Sequence, residues 1–194
     1  MASVTAAAHP RVRQDMAPTD DELVRRATGG DTGSYAILVE RYYERSLRFG
    51  LRMLGNRADA EEAVQNAFVR VYRALDRYDA RSRFESWLFQ IVANQCRTLG
   101  AKRRRRERTF VPIDATHDFG EPPPAAEMHR SMDVQKALMQ LSSDHREALL
   151  MFYMEDRSYE DIADVTGLGV SALKMRVKRA REQLRRVLEE AYDG

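Results

Sequence analysis

Cysteine is almost missing from this chain: Cys96 stands alone among 194 residues, and Trp87 is the only tryptophan. One thiol excludes an intramolecular disulfide and a multi-thiolate metal site, which suits a reducing compartment. We read Cys96 as a helix residue rather than a nucleophile. Histidine is scarce too, with His9, His117, His129 and His145 scattered and no pair at helical metal spacing. No glycine-rich phosphate loop and no nucleophile-base constellation is present, so an enzyme ranks behind a binding protein, and neither metal, cofactor nor small-molecule substrate is expected. No apolar run reaches the roughly 20 residues of a membrane span, and no apolar stretch follows a basic start. These absences predict a cytoplasmic protein without a membrane partner.

Strand alternation is absent as well. What remains is helical periodicity and segregated charge. The 32 basic and 30 acidic side chains nearly cancel, but the basic ones crowd positions 97 to 108 and 174 to 186. Such crowding points to a polyanionic partner. The fold class expected is all-α, with two small helical units joined by an extended linker. Residues 1 to 18 read as a tail and 19 to 106 as the first unit. Residues 107 to 130, with Pro112 and the run Pro122, Pro123 and Pro124, read as the linker, and 131 to 194 as the second unit.

The spacing predicts helix starts at Thr19 with Glu22, at Ser82 with Glu85, and at Ser158 with Asp161. In "RADAEEAVQNAFVRVYRAL", Ala60, Val64, Ala67, Phe68, Val71, Tyr72 and Leu75 share an inward face, while Glu62, Gln65, Asn66, Val69 and Arg73 lie opposite. In "FESWLFQIVANQCRTLGAKRRRRER", Phe84, Leu88, Ile91, Val92 and Leu99 face inward before the basic run Lys102, Arg103, Arg104, Arg105 and Arg106. That run reads as phosphate-contacting charge, supplying affinity rather than sequence choice.

The segment "SYEDIADVTGLGVSALKMRV" has the spacing of a helix-turn-helix. Ser158 and Asp161 cap the first helix, Gly167 takes positive φ in the turn, and Ser171 caps the next. Leu173, Val177, Leu184 and Val187 form the buried stripe of the last helix. Lys174, Lys178, Arg181 and Arg185 recur on its other side as a basic stripe able to reach guanine edges and phosphates.

These segments, in this order, resemble the extracytoplasmic-function (ECF) subfamily of sigma-70 RNA polymerase sigma factors. "DAEEAVQNAFVRVYRAL" is similar to the family's polymerase-binding segment and "RYDARSRFESWLFQIVANQCRTL" to its -10 recognition segment. "LSSDHREALLMFYMEDRSYEDIADVTGLGVSALKMRVKRAREQLRRVL" resembles the -35 reading domain. The resemblance implies a non-enzymatic factor whose partners are core RNA polymerase and promoter DNA, duplex at -35 and single-stranded at -10. It places Asp59, Glu62, Gln65, Phe68 and Arg70 on the polymerase coiled-coil, although periodicity alone puts Phe68 in the core. It makes Tyr78, Asp79, Arg81 and Ser82 the pocket for a flipped base, and Phe89 and Asn94 contacts to the opened strand. Flipping costs a few kcal/mol, offset by stacking and hydrogen bonds in such a pocket. Trp87 reads as packing before stacking. Lys174, Met175, Lys178 and Arg179 would face -35 bases, with Ser171 and Arg176 near phosphates. Met175 stands where small polar residues are common, which leaves the -35 sequence open, and Asn66 stands where an acid is common in the polymerase-binding segment. Many such factors are held by an anti-sigma factor, and Val69 on a polar face is the kind of apolar residue such a partner covers. The rival reading is an ordinary helix-turn-helix regulator that binds a palindrome as a dimer.

Overall fold

The computed structural model describes residues 17–79, 83–107, 125–155 and 157–192. Its elements are α1 (Asp20–Thr28), α2 (Thr32–Leu54), α3 (Arg57–Arg73), a single 3-10 turn (Leu75–Arg77), α4 (Phe84–Glu107), α5 (Ala125–Gln140), α6 (Ser143–Tyr153), α7 (Tyr159–Thr166) and α8 (Val170–Tyr192). No strand occurs among the described residues.

Local chemistry sets the helix ends. Thr19, Asp31, Asn56, Ser142 and Ser158 each accept a hydrogen bond from a backbone N–H of the first turn, satisfying a donor that the helix cannot. The box at Ser158 is reciprocal: Asp161 N–H donates to the serine hydroxyl, and the Asp161 carboxylate accepts from Ser158 N–H. Gly55 (φ 77°) ends α2 and Gly167 (φ 71°) ends α7, both in the left-handed region where a Cβ is disfavoured.

In the first unit α2, α3 and α4 pack side by side, with α1 against α2. A Cβ on Gly50 would lie 3.3 Å from the Ala60 methyl, so this glycine lets α2 and α3 approach closely. Leu38, Phe49, Val64, Val71, Leu88 and Val92 are fully buried here. In the second unit Leu149, Met151, Ile162, Leu173 and Ala180 bring α6, α7 and α8 together. The buried residues of both units join into one cluster, since α5 and α6 lie on α2, and α7 lies on α4.

Several expectations change. The basic run that follows the inward-facing residues forms the last turns of α4, because helix-favouring Lys and Arg continue the helix to Glu107. Helix α5 starts at Ala125, inside the stretch read as linker, once the proline run ends. Tyr72 is 45% exposed, and Ala63 takes the inward position instead, since the core-facing stripe of α3 passes through Ala60, Ala63, Ala67 and Val71. Ser171 is the second residue of α8 and not its cap, because the helix already begins at Val170 with Leu173 N–H donating to the Gly169 carbonyl.

Candidate nucleic-acid and polymerase interfaces

Helix α8 buries Leu173, Val177 and Ala180 and turns its other side outward. Lys174, Met175, Lys178, Arg179, Arg181, Arg185 and Ser171 are all exposed there. The Lys174 ammonium sits 5.7 Å from the Tyr159 ring centroid, and Lys178 lies a loose 3.9 Å from Glu182. Exposed pairs of this kind contribute about 0 to 1 kcal/mol and yield readily to a competing anion. Arg176 is half-buried and reaches Asp144 at 3.5 Å, which ties the first turns of α8 to α6. Met175 is 48% exposed, an apolar side chain at the centre of a basic face.

On α3 the structure gathers Glu62, Gln65, Asn66, Val69 and Arg70 on one exposed surface. Tyr72 continues that surface, its ring 4.9 Å from that of Tyr35 on α2. Two other residues of the expected polymerase face are not there. Phe68 is buried and stacks on Tyr43, so it is core, as the periodicity read it. Asp59 is half-buried, takes the Asn56 amide at 2.6 Å, and meets Arg103 at 3.2 Å. One arginine of the basic run therefore braces α4 against the start of α3.

Before α4, Tyr78 packs its ring against Trp87 and Phe84, with centroids 5.3 and 5.8 Å away, and donates its hydroxyl to Asp21 at 3.1 Å. Burial and the Asp21 carboxylate push its pKa well up, so the phenol stays a donor. Trp87 is half-buried in this aromatic group, in line with packing. Asp79 is exposed; Arg81 and Ser82 lie outside the described residues. On α4, Asn94 is exposed and its side-chain oxygen accepts from Arg97. Phe89 corrects the expectation that it faces a DNA strand. It is 1% exposed, edge-on to Phe49, with the guanidinium groups of Arg45 and Arg157 at 5.4 and 5.5 Å from its centroid. Lys102, Arg104, Arg105 and Arg106 are exposed. Cys96 is fully buried, and its thiol is pushed up to about 12 by burial, so it stays protonated and unreactive.

The residues that sequence reasoning missed are buried charges: Arg146, Glu147, Glu155 and Arg157. Arg146 donates to the carbonyls of Leu138, Met139, Leu141 and Met53, and burial holds its pKa down at about 10. Among the described residues no group of His, Cys, Asp and Glu could hold a metal ion, and no helix is long and apolar enough to cross a membrane.

These elements define a helix-turn-helix DNA-binding protein with a second helical unit on its N-terminal side. The family model for sigma-70 region 2 matches residues 38–108, and that for sigma-70 region 4 matches residues 131–184. The RNA polymerase sigma-H factor of Pseudomonas aeruginosa is 31% identical over 181 residues, covering 88% of this chain and 94% of that protein. The ECF RNA polymerase sigma factor SigM of Mycobacterium tuberculosis is 30% identical over 172 residues, covering 88% of this chain and 85% of that one. Among solved structures, the sigma factor RpoE of Bartonella quintana, in complex with the anti-sigma factor NepR, matches with a TM-score of 0.66 and 26% identity over 80% of this chain and 96% of its own. CnrH, in complex with the cytosolic domain of CnrY, matches at 0.65 with 28% identity over 87% of this chain and 96% of its own. The chain belongs to the ECF subfamily of the sigma-70 family and is a transcription-initiation sigma factor.

Proposed function

We propose that this factor carries core RNA polymerase to promoters by reading two elements with its two units. The observation that carries the reading is the exposed basic stripe on α8, held behind a capped α7 and a left-handed glycine turn. In this reading α8 enters the major groove at -35. Lys174, Lys178 and Arg179 reach base edges, Met175 meets a thymine methyl, and Ser171 and Arg176 stand near phosphates. Glu62, Gln65 and Arg70 dock on the polymerase coiled-coil, with Asp59 shaping the start of α3. Asn94 and the group around Tyr78 and Asp79, with Arg81 and Ser82, hold the opened -10 strand, and the run from Lys102 to Arg106 adds phosphate contacts.

The factor contributes recognition and no catalysis of its own, and it acts in the cytoplasm beside polymerase. The surface formed by Val69 and Tyr72 suits an anti-sigma factor of the kind bound to the Bartonella relative. Transcription in vitro with purified core polymerase on a genomic promoter library tests the reading: start sites sharing spaced -35 and -10 elements support it. Tight binding of a palindromic duplex by the protein alone, as a dimer, supports the rival regulator instead.

A further inference from the structure

Between the end of α2, the second half of α4 and the turn from α5 into α6 lies a cavity of about 500 Å3. Its volume falls within the roughly 300 to 1,000 Å3 of small-molecule sites. Arg97, Arg103, Arg104 and Arg146 line it with the hydroxyls of Ser142 and Ser143, and none of the described acidic side chains does. Met53, Leu54 and Leu141 supply an apolar wall.

Two of these arginines are answered by acids from outside the cavity, and two are not. Glu147 accepts from Arg97 at 2.7 and 2.9 Å, and Asp59 meets Arg103 at 3.2 Å. Arg146, only 6% exposed, gives four of its five N–H groups to the carbonyls of Leu138, Met139, Leu141 and Met53. Its charge meets no carboxylate among the described residues, and neither does that of the exposed Arg104. A Cβ on Gly100 would lie 3.4 Å from a guanidinium nitrogen of Arg104 and 3.5 Å from Leu54, so Arg104 folds back over the bare backbone there. The two cations feel each other: after burial, the charge of Arg104 also holds the pKa of Arg146 down. Like charges facing one cavity without a counter-ion are stabilised by an anion that enters it. A phosphomonoester, with roughly −1.5 to −2 elementary charges at pH 7, matches them in charge. Guanidinium forks and hydroxyls are donors suited to its oxygens.

We propose that this cavity binds a small phosphorylated molecule of nucleotide size, with its phosphate on Arg104, Arg146 and Ser143 and its ring against Met53, Leu54 and Leu141. The site stands whether or not α4 holds the opened -10 strand.

The test titrates the full chain by calorimetry with ADP, pyrophosphate and adenosine at constant ionic strength. ADP is expected to bind saturably and more tightly than pyrophosphate, while adenosine, which lacks the phosphate, does not bind. Added ADP should shift the amide signals of Gly100 and Ser143 in a heteronuclear NMR titration, and it should raise the melting temperature, because the site exists only in the folded chain. Arg104→Gln should weaken ADP binding by at least about tenfold, equivalent to about 1.4 kcal/mol, and Ser143→Ala should weaken it too. Melting of each variant without ligand confirms that it is folded. Arg48→Gln, at an exposed arginine of α2 outside the cavity, removes the same charge and should leave ADP binding unchanged. Absence of saturable binding by ADP and pyrophosphate overturns the proposal, and so does equal weakening by Arg48→Gln, which marks diffuse attraction. A short single-stranded oligonucleotide that shifts Gly100 and Ser143 where ADP does not would also overturn it, since the phosphate taken there would then belong to nucleic acid.

Discussion

Closure of the two units should depend on pH through Glu155. Its side chain is 1% exposed and pairs with Arg45 at 2.7 Å. Burial pushes its pKa up from 4.5 to about 7; Arg45 and Arg157 pull it down, and Glu85 pushes it up. In an open form the carboxyl is hydrated and returns toward 4.5. The closed form thus keeps a proton that the open form releases. Closure is favoured at low pH, and this stabilisation is lost as pH rises from 4.5 to about 7, above which both forms are ionised. Taking those two values, the ratio of closed to open molecules should fall about tenfold between about pH 6 and about pH 8, equivalent to about 1.4 kcal/mol. The assay is energy transfer between dyes on the two units, at Ala58→Cys and Arg186→Cys with Cys96→Ser, in a pH titration at constant ionic strength. Glu155→Gln, which keeps the shape and removes the titration, should flatten the profile. A closed fraction that rises with pH refutes the reasoning, and so does an unchanged slope in Glu155→Gln.

Three further outcomes are expected. Lys178→Ala or Arg179→Ala should weaken binding of the preferred -35 duplex by about 1 to 3 kcal/mol if the side chain pairs with a base; equal losses on all duplexes in a competition assay would show a phosphate contact instead. Replacing Arg104, Arg105 and Arg106 with Gln should reduce the salt slope of single-strand binding by about 0.7 for each phosphate no longer neutralised, read as log affinity against log salt. Leu88→Ala, at a fully buried position between α4 and its neighbours, should destabilise the protein by about 2 to 5 kcal/mol in urea unfolding.

Much of the fold could be read from the chain because its signals are local. The caps at Thr19 and Ser158 and the left-handed turn at Gly167 depend on residues within one helical turn, so their spacing announces them. The basic stripe of α8 was legible for the same reason, since the side opposite Leu173 and Val177 must face solvent. Phe89 shows where that logic stops. On α4 it belongs to neither the expected inward set nor, in the folded chain, to the surface, because Phe49 of α2 meets one side and Arg157 of the second unit another. Asp59 was misplaced for a related reason, as its partner Arg103 is 44 positions away. Glu147 and Glu155 sit among residues of ordinary helical pattern, and nothing in their spacing tells that each meets an arginine from the other unit. A charge that is buried only by a distant segment leaves no periodic trace.

The central claim is that this chain confers promoter choice on polymerase, and transcription with purified core enzyme measures it most directly. Run with and without the protein on the same library of genomic fragments, the account predicts transcripts from a discrete set of start sites that appear only when the factor is present and share one pair of -35 and -10 elements. Initiation that is identical with and without it would contradict the account.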